Sequence, residues 1–297
     1  MQFFFEVLIG GLLSGVMYAL VALGFVLIYK ASGVFNFAQG AMVFFAALTA
    51  VGLQELGMPL WMAIILTIVV MAVLGLAIEK VVLRPLVNQH DITLFMATIG
   101  LTFFLEGLAQ LIWGSTVRKL DLGIPDVPIQ ALMDKTGMLV SQFDVIAAGI
   151  CAVLVAALAI LFNKTKIGRA LRAVADDHQA ALSVGIPLQH VWGIVWAVAG
   201  VVALVAGLLW GSRNGVQFAL TFVALKALPV LIIGGFTSVP GAIVGGLIIG
   251  ASEKLAEVYI GPFVGGGIEG WFPYVLALLF LLVRPEGLFG EKIIRRI

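Results

Sequence analysis

Apolar residues in this chain come in long runs, and polar residues come in short breaks between them. Nine runs stand out, at about 7–29, 36–52, 61–83, 92–113, 144–163, 190–212, 216–236, 240–258 and 271–284. Most approach the ~20 residues that a helix needs to cross a hydrocarbon core of about 30 Å. Backbone N–H and C=O groups find no partner in lipid, so each run is predicted to be a helix. The predicted fold is all-α and polytopic, with about nine membrane helices and a range of roughly eight to ten. The second run is short, the seventh holds Lys226 and Pro229, and the eighth opens on Pro240-Gly241. These three are candidates for broken or re-entrant helices, which survive at membrane depth only when buried in protein or lining a wet cavity.

Composition agrees: 62% of the 297 residues are hydrophobic and 11% are charged, far from a soluble domain. The whole chain, 1–297, reads as one transmembrane domain. A net charge of +1 gives nucleic acid nothing to hold. The lone cysteine, Cys151, lies inside an apolar run and offers neither an intrachain disulfide nor metal-site spacing. There is no phosphate-binding glycine loop, no nucleophile elbow and no His pair at metal spacing. The expectation is therefore no enzyme, no metal and no cofactor on this chain. Any energy input must come from a gradient or from another subunit.

Lysine and arginine set the predicted orientation. Residues 164–190 carry Lys164, Lys166, Arg169 and Arg172 against Asp176 and Asp177, and the tail carries Arg284, Lys292, Arg295 and Arg296 against Glu286 and Glu291. Both excesses place these segments in the cytoplasm. The opening MQFFFEVLIGG lacks the basic stretch of a signal peptide and permits an outside N-terminus. The long segment 114–143 reads as an outer loop. Trp61, Trp113, Trp192 and Trp271 sit near span ends, where an interfacial belt would put them. A weak internal repeat is visible. Runs three and eight end in Gly75-Leu-Ala-Ile-Glu79-Lys80 and Gly250-Ala-Ser-Glu253-Lys254, and runs one and six in Lys30-Ala-Ser-Gly33 and Ser212-Arg-Asn-Gly215. The predicted topology puts these related segments on opposite sides, as an inverted repeat requires.

Two sets of residues can carry function. The first is an island of charge, 168–186, between apolar runs. Arg169, Arg172 and Asp176 share a face of one short helix, and Asp176 or Asp177 can cap a second, over 178–184, that Gly185 and Pro187 stop. Two such helices make a compact knob for a partner's groove, with Arg169, Arg172, Asp176 and Asp177 as its polar part and Ala173, Ala181 and Leu182 as its packed part. An ordinary solvated loop fits the same residues. The second set is polar groups at membrane depth: Glu106, Lys226 and Glu253-Lys254, with Glu106 and Lys226 as one possible buried pair. Asn36, Gln39 and Thr98 can line a path, with a half-helix starting at 36–40 and aiming its N–H groups at a carboxylate. The GxxxG pairs Gly11/Gly15, Gly207/Gly211, Gly241/Gly245 and Gly246/Gly250 mark tight packing in the bundle.

Three segments in order carry a resemblance: Tyr18-Ala-Leu-Val-Ala-Leu-Gly24 through Leu27-Ile-Tyr29 to Gly33-Val-Phe-Asn-Phe-Ala-Gln-Gly40; Gly168-Arg169-Ala170 with Arg172-Ala173, Asp176, Ala181 and Gly185-Ile186; and Arg284-Pro-Glu-Gly-Leu-Phe-Gly290. Together the chain resembles the shorter of the two paralogous permeases of branched-chain amino acid ATP-binding cassette importers. The resemblance implies a type II importer fold in a bacterial inner membrane. It also implies a second permease, two cytoplasmic ATPases that bind ATP and Mg, and a periplasmic binding protein as partners. In that family the segment matching Gly168–Ile186 is similar to the coupling helices that dock into the ATPases. The segment after Gly40 departs from many relatives, reading Ala41-Met-Val-Phe-Phe-Ala-Ala47, bulkier than a Gly-Ala pair and a tyrosine. Two other classes stay open: a gradient-driven carrier or channel for small polar solutes, and a membrane scaffold that moves nothing.

Overall fold

A computed structural model describes residues 2–86, 89–176 and 178–290. The helices are α1 (Gln2–Ser32), α2 (Gln39–Glu55), α3 (Leu60–Ala77), α4 (Asp91–Trp113), α5 (Gln130–Thr136), α6 (Gln142–Lys164), α7 (Lys166–Asp176), α8 (His178–Ser183), α9 (Leu188–Asn214), α10 (Val223–Gly234), α11 (Val239–Tyr259), α12 (Gly261–Val264) and α13 (Phe272–Val283). Every predicted run falls on a helix. Among the described residues, six are long and apolar enough to cross a membrane: α1, α3 with its extension to Leu86, α4, α6, α9 and α11. α10 and α13 are shorter, at 12 residues each, and α2 has 17.

The three suspected breaks resolve differently. α2 starts only after a non-helical stretch that follows Gly33. The seventh run is broken, with a 3-10 segment (Phe218–Phe222) leading into α10, which holds Pro229 inside it. The eighth is continuous, contrary to expectation. Ser238 caps α11 by accepting the Gly241 N–H at 3.0 Å, and Pro240 falls in the first turn, where no N–H is needed. α3 runs on through a π turn, Ile78–Leu83, into a 3-10 turn, Arg84–Leu86.

The chain divides into two compact units. One takes residues 1–22, 123–153 and 225–297; the other takes 23–122 and 154–224. In the first, the start of α1 crosses α11 at glycine pairs. A Cβ on Gly11 would come within 2.7 Å of the Gly250 carbonyl oxygen, and one on Gly15 would collide with that of Gly246. Gly241 and Gly245 make the same kind of approach to Gly234 and Val230 of α10. In the second unit, α9 crosses α3 and α2. A Cβ on Gly200 would meet the Met71 carbonyl at 2.6 Å, one on Gly207 would meet that of Val43 at 2.5 Å, and one on Gly75 would strike that of Trp196. Backbones this close gain dispersion contacts that lipid cannot match. The first helix of each sequence half thus crosses the third helix of the other half. Each first helix also ends at a left-handed glycine, Gly33 (φ 68°) or Gly215 (φ 77°).

The tryptophans divide. Trp61 and Trp271 are exposed, as a belt requires. Trp192 is buried instead and donates its indole N–H to the Ala31 carbonyl at 2.9 Å, and the Trp113 ring covers Gly52. These two serve helix packing.

Candidate docking loop and polar clusters

The charged island folds as two helices. Thr165 precedes α7, and its Oγ1 accepts the Gly168 N–H at 3.1 Å, satisfying an orphan donor of the first turn. Gly168 is buried because a Cβ there would strike the Phe162 carbonyl. Leu171 and Val174 turn inward, and α7 packs on α8 and α9. α8 ends at Gly185 (φ 82°), with Ile186 N–H donating to Ala181 O and Gly185 N–H to Leu182 O, both at 3.0 Å. This is a Schellman motif, which requires a left-handed residue where the sequence supplies glycine.

The predicted docking residues separate by position. Arg169, Leu182 (54% exposed) and Gly185 are at the surface; Arg172 and Ala173 are half-buried. Ala181, at 2% exposed, faces inward and holds the pair of helices together. Asp176 is the last residue of α7, and Asp177 lies outside the described residues, as do the tail residues Glu291, Lys292, Arg295 and Arg296. Val184, 75% exposed, joins Leu182 in an apolar tip that the sequence reading did not single out.

Asn36, Gln39 and Thr98 come together in the second unit, and all three are fully buried. Asn36 folds onto its own turn. Its Oδ1 accepts the Ala38 N–H at 3.1 Å, and its Nδ2 donates to Gln39 Oε1 at 3.4 Å. Thr98 on α4 accepts the Phe37 N–H at 3.3 Å and lies 3.2 Å from the Phe35 carbonyl. Phe35, Phe37 and Phe95 pack edge to face around them. The side chains thus satisfy the irregular backbone that precedes α2. Gln39 Nε2, buried against Gly24, has no hydrogen-bond partner among the described residues.

The first unit holds a charged cluster. Lys226 of α10 donates to Glu253 Oε1 of α11 at 3.1 Å and to the Tyr18 hydroxyl of α1 at 3.3 Å. Tyr18 donates in turn to the same Glu253 oxygen at 3.1 Å. The ion pair of Lys226 is therefore with Glu253 and not with Glu106. Side-chain spacing along one helix does not reveal which helix crosses it, so sequence offered Glu106 equally well. Tyr18 was not singled out in the sequence as a member of this cluster; its signal was a phenol one turn beyond the Gly11/Gly15 pair. Among the described residues no group of three or more His, Cys, Asp or Glu side chains can hold a metal.

A family model described as "Branched-chain amino acid transport system / permease component" matches residues 7–284. The chain is 26% identical over 306 residues to the high-affinity branched-chain amino acid transport system permease protein BraD of Pseudomonas aeruginosa, covering 99% of this chain and 98% of that one. It is 30% identical over 299 residues to the probable branched-chain amino acid transport permease protein LivH of Methanocaldococcus jannaschii, covering 96% and 92%. Among solved structures, PsaBC from Streptococcus pneumoniae in complex with Fab matches with a TM-score of 0.45 at 15% identity, over 92% of this chain and 89% of that chain.

Proposed function

The chain belongs to the family of branched-chain amino acid transport system permease components, and from that premise we propose that it forms half of a translocation path for amino acids with branched apolar side chains. It is a permease subunit of an importer and does no bond chemistry of its own. ATP and Mg belong to two ATPase subunits on the cytoplasmic side. A paralogous permease completes the path, and a periplasmic binding protein delivers the solute. The N-terminus lies outside and the C-terminus in the cytoplasm of a bacterial inner membrane.

One observation carries the reading: the paired helices α7 and α8, held on α9 by Leu171, Val174 and Ala181, present Arg169, Leu182 and Val184 outward. Exposed Leu and Val at a cytoplasmic helix tip call for a groove on a partner. A knob fixed to a membrane helix transmits motion, provided that its fit differs between the partner's ATP-bound and free states. Replacing Leu182 by Glu, or Asp176 by Arg, is expected to uncouple ATP hydrolysis from uptake while the protein stays in the membrane. Normal uptake by both variants in vesicles would remove the coupling role.

The Lys226–Glu253 pair favours a second reading, a carrier driven by a proton gradient. Uptake that stops with a protonophore while ATP is present would establish it; uptake that needs ATP and ignores the protonophore supports the importer.

A further inference from the structure

Lys226 does not behave as half of a structural staple. It bonds two groups that are sealed from solvent, Tyr18 at 4% exposed and Glu253 at 1%, yet about a third (32%) of its own side chain stays exposed. An ammonium has three N–H donors. Glu253 Oε1 and the Tyr18 hydroxyl take two, which leaves one for another acceptor. Glu253 serves both Tyr18 and Lys226 through a single oxygen, and its other oxygen, Oε2, is buried without a hydrogen-bond partner among the described residues. A carboxylate meant only to tie helices would use both oxygens. The backbone around Lys226 is irregular as well: the 3-10 segment Phe218–Phe222 precedes it and Pro229 follows. Such backbone at membrane depth is buried in protein or lines a wet path, and a lysine partly exposed at that depth does not face lipid.

We infer that Lys226 is the residue that meets the carboxylate of the transported solute, with Tyr18 and Glu253 as positioning residues that hold its ammonium. This rests on the importer reading above. An ammonium and a carboxylate make a charge-assisted hydrogen bond, stronger than a neutral one, and Glu253 holds the ammonium in place between visits. The hydroxyl of Tyr18 stays on Glu253 when Lys226 turns toward the solute, so the buried carboxylate is never left bare.

The test uses the complete transporter in proteoliposomes, with radiolabelled leucine as the probe and Lys226→Cys made in a Cys151→Ala background. Leucine uptake is expected to fall at least about tenfold. A cationic aminoethyl thiol reagent should bring it back to within about threefold of the parent, and a neutral propyl reagent of similar size should not. Saturating leucine should slow the aminoethylation during transport. Equal recovery with the neutral reagent would overturn the inference. So would a labelling rate indifferent to leucine, the outcome expected if a second permease covers Lys226 instead. A paired variant, Lys226→Met with Glu253→Gln, removes both charges and leaves neither group uncompensated. It should assemble and lose uptake at least about tenfold, and parental uptake by it would also sink the inference. The parent is measured beside each variant. ATP-dependent uptake by the parent separates failure of this inference from failure of the importer reading.

Discussion

The α1–α11 crossing of one unit and the α3–α9 crossing of the other use the same device and house their carboxylates differently. Both bring backbones together at glycines, and both bury a glutamate close to the end of the third helix: Glu253 at 1% exposed and Glu79 at 2%. Glu79 gives both of its oxygens to Arg84, at 3.1 and 2.8 Å, on the following turn of its own helix. Glu253 gives one oxygen to two groups on two other helices. The first pair forms as soon as its helix forms and satisfies both oxygens of its carboxylate. The second exists only once three helices have assembled, and it keeps a donor and an acceptor unspent. Segments of similar sequence, each a glycine run ending in Glu-Lys, thus form a local closure in one unit and a shared junction in the other.

Breaking the crossings themselves should have the largest effect. Gly15→Val and Gly75→Val place branched carbons against carbonyl oxygens that cannot move without separating the helices. Each is expected to destabilise the purified protein by about 3 kcal/mol or more, the upper range for overpacking. Gly10→Ala and Gly100→Ala, whose added methyl meets nothing within 4 Å among the described residues, should leave the melting temperature unchanged or slightly raised, since alanine favours a helix over glycine. If all four variants melt alike, the glycines do not build the crossings.

Sequence reading reached the helices more easily than the junctions, and these two glutamates explain why. Runs of apolar residues reveal spans because lipid demands them at a fixed length. The glycine pairs were legible for the same kind of reason, since a small residue every four positions lines one face. Arg84 is five residues beyond Glu79, which on an α-helix puts it about 140° around the axis. The π turn Ile78–Leu83 brings it back onto the same face, and nothing in the apolar pattern announces such a turn. Glu253, Lys226 and Tyr18 are far apart in the chain, and their meeting depends on which helix crosses which. For the candidate docking loop the signals were local: Gly185 for the Schellman turn, and Leu171 and Val174, three residues apart, for the inner face. The two short helices of that loop were legible in the sequence, whereas the inward turn of Ala181 and the exposure of Val184 were not.

Removing each carboxylate separates the two junctions at an intermediate scale. Glu253→Ala leaves Lys226 with an uncompensated charge next to a buried phenol. The expected destabilisation is about 3 kcal/mol, the low end for a broken buried pair because the lysine is a third exposed. Glu79→Ala releases Arg84, whose side chain is 36% exposed and can turn to water. Its expected effect is about 1 kcal/mol. Denaturation of the two purified variants in one detergent measures the difference. Equal losses would mean that Glu253 is no more shared than Glu79.

The smallest effect sharpens the comparison most. Arg84→Lys keeps the charge and removes the planar fork that engages both oxygens of Glu79. A lysine would reach one oxygen and leave the other buried without a donor, which is the condition of Glu253. The expected cost is below about 1 kcal/mol, because the group is partly solvated. Leucine uptake should stay at the parental rate, since a closed local pair takes no part in transport. A fall in uptake with stability intact would show that the α3–α9 crossing also needs its carboxylate fully satisfied during the transport cycle. The two junctions would then differ in geometry alone, and the unspent donor of Lys226 would lose its claim to a separate role.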